Sequence, residues 1–358
     1  MKRNWRLITI KNKARLLIFS LVLVLLVAGC GKDENGKGSS DVASVKVKNG
    51  LYITHEGQEN TKESALLALN LTVTNHMGET LELYPGDFTL FDSDETKVPA
   101  EETIYDDSGK FKVMDSADLP DGKSASGYIA FRIDKSKSYE LHYQPSVFDP
   151  DKKAEPVIVK ISGKDYKDQQ KDILDAASAY LNVVFFGKQE TNYAKLVAND
   201  AKKEEEQIRD LFTENADFGE DISPSETEAA WQAFKKTNGE KGKIDLNVQT
   251  AFAETAEVEV TPTVLNFNDM YDAVQDLRDQ FIDDNRGKYP DYNTAQKAWN
   301  KYLIKHIADV FNNSDVKESD ESYPIKLIKD GTRWRIDSEK RTENYEFESL
   351  SEVMTGGY

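Results

Sequence analysis

Ala65-Leu66-Leu67-Ala68-Leu69-Asn70-Leu71-Thr72-Val73-Thr74-Asn75 places apolar side chains at every second position from Leu67 to Val73, with Asn70, Thr72 and Thr74 between them. Successive side chains of a strand point to opposite faces, so this alternation predicts a half-buried β-strand. The same period recurs on both sides. Ile129, Phe131 and Ile133 alternate, as do Tyr139, Leu141 and Tyr143, and Val157, Val159 and Ile161. Upstream, Val45, Val47, Leu51 and Ile53 open the series, with a break at Asn49-Gly50. Thr80 to Tyr84 and Phe88 to Phe91 add two short strands around Pro85-Gly86-Asp87. Asn75-His76-Met77-Gly78, Asp92-Ser93-Asp94-Glu95 and Leu119-Pro120-Asp121-Gly122 supply the turn chemistry between them. Short strands separated by such turns predict an antiparallel, all-β sandwich over residues 41–162.

Beyond Ser162-Gly163-Lys164-Asp165 the period becomes 3.6. Ile173, Ala177, Tyr180, Leu181, Val184 and Phe185 form one helical stripe, and Gly187 suits its stop. A short helix is expected over 192–197. A charged one follows over 202–212, with Ile208, Leu211 and Phe212 as its buried edge. Ser223-Pro224-Ser225-Glu226 reads as a helix start, with Trp231 and Phe234 behind it. Two strands follow, marked by Ile244, Leu246 and Val248 and by Val258, Val260, Pro262 and Val264. Two more helices are expected near 268–287 and 294–311, then a hairpin closed by Asp330-Gly331, for which a type I′ turn is expected. This order predicts an α+β domain over residues 165–340. With no large apolar side chain at the junction, the two domains are expected to fold separately. Arg341 to Tyr358 is expected to be a polar tail that frays.

The N-terminus carries Lys2, Arg3, Arg6, Lys11, Lys13 and Arg15 and then an apolar run from Leu16 to Ala28, broken only by Ser20. The run is shorter than the roughly 20 residues a transmembrane helix needs, so residues 1–29 read as a secretory signal. Leu26-Val27-Ala28-Gly29-Cys30 resembles the lipobox of bacterial lipoproteins. The resemblance implies cleavage before Cys30, lipidation of its thiol, and attachment to the extracellular face of the bacterial cell membrane. Two acyl chains would make that attachment stable. Gly31 to Ser40 has no apolar side chain, so residues 30–40 read as a flexible tether.

The run Leu69 to Asn75, the strand end Phe88 to Asp92, and Pro120-Asp121-Gly122-Lys123 ahead of Gly127-Tyr128-Ile129-Ala130-Phe131 together resemble the telokin-like, immunoglobulin-like domains of bacterial surface lipoproteins. The resemblance implies a fold and carries no activity. The closing segment Ile325 to Asp337 is similar to the last hairpin of nuclear-transport-factor-two-like domains. The second domain as a whole resembles an uncharacterised domain that follows telokin-like domains in lipoproteins of low-GC Gram-positive bacteria.

Acids outnumber bases 64 to 46, for a formal charge of −18. Removal of the basic leader would make the remainder more negative still. Such a surface repels nucleic acid, which is excluded as a partner. With Cys30, the single cysteine, taken by the lipid, no thiol is left, so disulfides, thiol nucleophiles and cysteine-bound zinc are excluded. His55, His76, His142 and His306 lack chelating spacing. Asp92-Ser93-Asp94-Glu95 and Asp106-Asp107-Ser108-Gly109 offer carboxylates to a hard cation but lack an EF-hand loop, and read as solvated turns. Nucleophile-elbow, phosphate-loop and dinucleotide motifs are missing from the chain. No cofactor and no metal is expected.

If a ligand pocket exists, it is expected in the second domain, lined by Tyr180, Phe185, Trp231, Trp299 and Trp334, although aromatics at such spacing more often fill a core. The leading expectation is a non-catalytic, lipid-anchored module that binds a cell-envelope component or a protein partner. A solute-binding lipoprotein would need two parallel βαβ lobes, which the pattern lacks. An enzyme would have to use the second-domain cleft through an acid or a tyrosine.

Overall fold

The structure, a computed structural model, describes residues 36–356 apart from 56, 102, 107, 147–153 and 217. The expected leader and Cys30 lie outside the described residues. No helix among the described residues is long and apolar enough to cross a membrane.

The first domain is a sandwich of two four-strand arrays. One runs β1 (Lys37–Ser39), β2 (Ala43–Ile53), β3 (Ala65–Asn75) and β8 (Ser124–Ile133). The other runs β10 (Val157–Ser162), β9 (Ser138–Tyr143), β5 (Phe88–Asp92) and β6 (Lys97–Pro99). The pairs within both arrays are antiparallel. A small ladder of β4 (Leu81–Leu83) and β7 (Ala117–Leu119) stands beside them. The alternation decides which face is buried: Leu67, Leu69, Leu71 and Val73 share one core with Leu90, Leu141, Tyr143 and Val159 of the opposing sheet. The pairing of β2 with β3 shifts register between Val47 and Asn49, a bulge at the break marked by Asn49-Gly50.

Two expectations at the margins need correction. Residues 37–39, expected within the tether, form β1 on the edge of β2. The edge of β2 offers open backbone groups, and Gly38 passes so close to the Ile158 carbonyl that a Cβ there would collide with it. At the domain junction, β11 (Lys167–Asp168) joins β2 in parallel, so the chain does not leave the first sheet at Asp165.

In the second domain, β12 (Lys243–Ala251), β13 (Thr255–Leu265), β15 (Tyr323–Asp330) and β16 (Arg333–Ile336) form an antiparallel sheet, with β14 (Val316–Glu318) also on β13. Seven helices among the described residues accompany it: α1 (Gln170–Val184), α2 (Tyr193–Leu196), α3 (Ala201–Ala216), α4 (Pro224–Lys241), α5 (Phe267–Asn285), α6 (Tyr292–Asn313) and α7 (Tyr345–Thr355). Val258, Val260, Ile325, Leu327 and Trp334 of the sheet share a core with α1, α4, α6 and α7. The start of α4 is a capping box: the Glu226 carboxylate accepts from the Ser223 N–H at 2.9 Å and the Ser223 hydroxyl at 2.6 Å.

The stretch 341–358, expected to fray, instead carries α7. Phe347, Leu350 and Met354 recur on one helical face and are buried in the core, and Gly356 ends the helix in the left-handed conformation. The closing hairpin also differs in detail. Asp330 pairs with Arg333, so Gly331 and Thr332 make the loop, and only Gly331 has a positive φ, 63°. A positive φ at the first loop residue alone is the type II′ signature, not type I′.

The domains dock on each other away from their covalent junction. Thr54 and Ala251 exchange two backbone hydrogen bonds, at 3.0 and 2.9 Å. Phe252, at the tip of the β12–β13 hairpin, is buried with Leu51, Ile53, Leu66, Ala68, Phe111 and Ala130 of the first domain. Gln169 clips the crossing: its amide donates to the Phe252 carbonyl at 3.3 Å, and its Oε1 accepts from Lys329 Nζ at 3.2 Å.

Candidate functional site

A cleft of about 790 Å³ opens in the second domain between α3, α7 and the turn that follows β16. This volume falls within the roughly 300–1,000 Å³ common for small-molecule sites. One side chain on its wall ties neighbouring elements together. Asn199 pairs with Ile336 as a strand would, donating to its carbonyl at 2.9 Å and accepting from its N–H at 2.8 Å. The turn beyond is set by Asn344, which donates to the carbonyls of Asp337 and Glu339, each at 2.9 Å. Arg341 grips the Asp337 carboxylate with two guanidinium nitrogens.

Glu204 lies on this wall and is only 7% exposed. Its Oε2 accepts from the Tyr180 hydroxyl at 2.7 Å and its Oε1 from the Asn199 amide at 3.1 Å. No ion pair reaches it among the described residues, although Lys203 and Arg341 also line the cleft. Burial, and after it the charge of Glu204, push the Tyr180 phenol well above its ordinary range. Tyr193 shifts the same way for the same causes, and its buried hydroxyl has no hydrogen-bond partner among the described residues. Tyr180 therefore acts as a neutral donor. A carboxylate has about four acceptor positions, and two neutral donors leave Glu204 with spare capacity toward the cleft.

The five expected pocket residues do not assemble a pocket. Tyr180, Phe185, Trp231 and Trp334 are at most 1% exposed and belong to the main core of the second domain. Trp231 packs on Phe212 at 5.3 Å between ring centroids. Trp299 lies elsewhere, at 5.7 Å from Phe281 in the α5–α6 pair. None of the five lines the cleft, and Tyr180 reaches its wall only through the bond to Glu204. Aromatic spacing locates the core. Glu204 carries no comparable local signal, since it is one of three consecutive glutamates on a charged helix.

The acidic turns use their carboxylates internally. Asp92 Oδ1 accepts from the N–H groups of Asp94 and Thr96 at 3.0 and 2.9 Å, and Oδ2 meets Lys137 at 3.1 Å. The Asp106 carboxylate accepts from Ser108, Lys110 and Phe111. Partial burial raises its pKa, and these bonds outweigh that and hold it below the usual carboxylate range. The histidines sit apart, His55 beside the Tyr105 N–H, His76 beside Ser44, His142 beside Glu140 and His306 beside Asp309. Among the described residues no group of three or more His, Cys, Asp or Glu is arranged to hold a metal ion.

Comparison with known proteins places two family matches on the two domains. Residues 164–354 match a domain of unknown function, DUF5105, and residues 38–154 match another, DUF4352. The uncharacterized lipoprotein YcdA of Bacillus subtilis (strain 168) is 26% identical over 354 residues, covering 91% of this chain and 95% of the relative. The crystal structure of YcdA shares the fold at a TM-score of 0.66 and 23% identity, over 89% of this chain and 98% of that one. The yjhA protein of Bacillus subtilis aligns over 35% of this chain and 96% of its own, at a TM-score of 0.27 and 16% identity.

Proposed function

The chain belongs to the family of the domain of unknown function DUF5105, and from that premise we propose that it is a lipid-anchored, non-catalytic binding protein of the cell surface. The anchor reading rests on Leu26-Val27-Ala28-Gly29-Cys30 and on a lipoprotein relative that matches along nearly the whole chain. Cys30 is the residue that would carry the lipid. Labelled palmitate is expected to enter the full-length chain and not its Cys30→Ser variant. Equal labelling of both would end this reading.

The binding reading rests on one observation, the buried Glu204 carboxylate held by two neutral donors at the wall of the cleft. A ligand that brings an ammonium or other N–H group there completes the acceptors of Glu204 with a charge-assisted hydrogen bond. The cleft therefore suits an amine-bearing envelope component. The probe is a lysine-containing tripeptide, titrated by calorimetry into the full-length chain in detergent. Glu204→Gln keeps the shape and removes the charge, and is expected to weaken binding by about tenfold or more. Acetylation of the lysine should have the same effect. Equal affinity for wild type and variant at equal melting midpoints would remove Glu204 from the site.

A further inference from the structure

The seam between the domains holds a second opening, a groove of about 300 Å³ between the β2–β3–β8 face and the β12–β13 tip. Lys48, Lys110 and Lys112 line it from the first domain, and Thr255 from the second. Among the described residues none of these three lysines has an ion-pair partner, and Glu254, which also borders the groove, forms no ion pair with them. What sets them apart is that all three face one groove in a chain whose acids outnumber its bases 64 to 46. Like charges gathered at one groove repel one another, and a partly enclosed groove screens them less than open solvent does.

Hydroxyl groups stand beside the lysines. Lys48 Nζ donates to Ser126 Oγ at 2.9 Å, and that hydroxyl lies 2.8 Å from Thr72 Oγ1. The Thr255 hydroxyl is buried at the groove with no hydrogen-bond partner among the described residues. The floor is aromatic: Phe111 stacks on Tyr128 at 4.2 Å between centroids with 20° between planes, and Phe252 closes it from the other domain.

We propose that this groove is an anion site that takes a phosphate group at the seam between the two domains. Three ammonium groups match a dianion better than a single carboxylate, and lysine recognises phosphate as a point charge. Thr255 brings the second domain to the wall of the groove. Bound phosphate would then touch both domains and strengthen their docking, because a ligand that binds the docked form stabilises it. This site is independent of the cleft at Glu204.

The test uses the full-length chain in detergent at low ionic strength. It is titrated by calorimetry with inorganic phosphate and, in a parallel arm, with dihexanoyl phosphatidylglycerol, a short-chain lipid used below its micelle concentration. Wild type should saturate, with affinity falling as salt is added. The Lys110→Ala, Lys112→Ala double variant should bind about tenfold more weakly or worse, while Lys97→Ala on the opposing sheet should match wild type. All three should share a melting midpoint without ligand. A stronger response to the short-chain lipid identifies a headgroup as the source, and a stronger response to inorganic phosphate identifies the free ion. Either result keeps the site. No saturable response in either arm, or equal binding by wild type and the double variant, overturns it.

Discussion

The ring of Phe252 lies 5.0 Å from the ring of Phe111, centroid to centroid, and the two come from different domains. Phe252 has left its own sheet to fill the outer face of another. Without it, Leu51, Ile53, Leu66, Ala68 and Ala130 would form an apolar patch on an acidic protein.

Phe252→Ala should therefore act on the docking of the domains more than on either core. Losing a buried phenylalanine costs about 3–5 kcal/mol. Differential scanning calorimetry is expected to show one transition for wild type and two for the variant. The units that separate are those we propose, 37–168, which includes β1 and β11, and the remainder, extended to residue 355 by α7. A single transition, merely shifted downward, would make the chain one cooperative unit.

Tyr180→Phe removes the hydroxyl that Glu204 Oε2 accepts from, and nothing in the variant replaces it. A hydrogen bond to a charged group contributes about 1.5–3 kcal/mol. The urea midpoint should fall by that equivalent with an unchanged slope. A change below about 0.5 kcal/mol would mean that water from the cleft already serves the carboxylate.

Glu226 gives the fold an acid limb. Its pKa is lowered to about 2 from 4.5, first by the hydrogen bond from Lys301 and then by those from Ser223. A depressed carboxylate contributes stability that is complete above the unfolded pKa and lost as pH falls through the folded one. The window here runs from 4.5 down to about 2. Glu226→Gln should lose less stability than wild type across that window. Because the carboxylate is exposed, the Lys301 share is screened, and the gap should narrow in about 0.5 M salt. Parallel stability curves for the two proteins would contradict the assignment.

Gly331→Val places a β-branched side chain at a φ of 63°. The open space around this position makes the cost conformational, not steric. A loss on the order of 1–3 kcal/mol is expected in the second domain. Gly331→Asn should recover little of it, since the first position of a type II′ turn lies in the mirror-β region that favours glycine. Near-full stability of the asparagine variant would overturn the type II′ reading of this turn.

The strands were legible because one face of each is wet. Leu67, Leu69, Leu71 and Val73 could point only inward once Asn70, Thr72 and Thr74 pointed out. The same run held a further signal. Leu66 and Ala68 are apolar on the outward face, which a half-buried strand does not explain, and they lie under Phe252 and Phe111. Continuous apolar character marks burial on both faces. In α7 the spacing of Phe347, Leu350 and Met354 was equally readable, but Glu343, Glu346, Glu348 and Glu352 dominate the local composition. The cleft was not legible at all. Glu204, Glu205 and Glu206 are chemically identical neighbours, yet Glu205 pairs with Lys235, Glu206 with Lys202, and Glu204 turns inward to Tyr180. Only the long-range placement of α1 against α3 distinguishes them.

The Thr54–Ala251 pairing also decides how the molecule carries mechanical load. Tension entering through β1 and resisted in the second domain has two routes. One is covalent and runs the length of the sandwich to β11. The other crosses from the end of β2 through two backbone hydrogen bonds and the seated ring of Phe252. The routes act in parallel, so the crossing short-circuits the linker. Resistance to a weak pull belongs to the crossing, and the linker begins to extend only after that crossing has sheared.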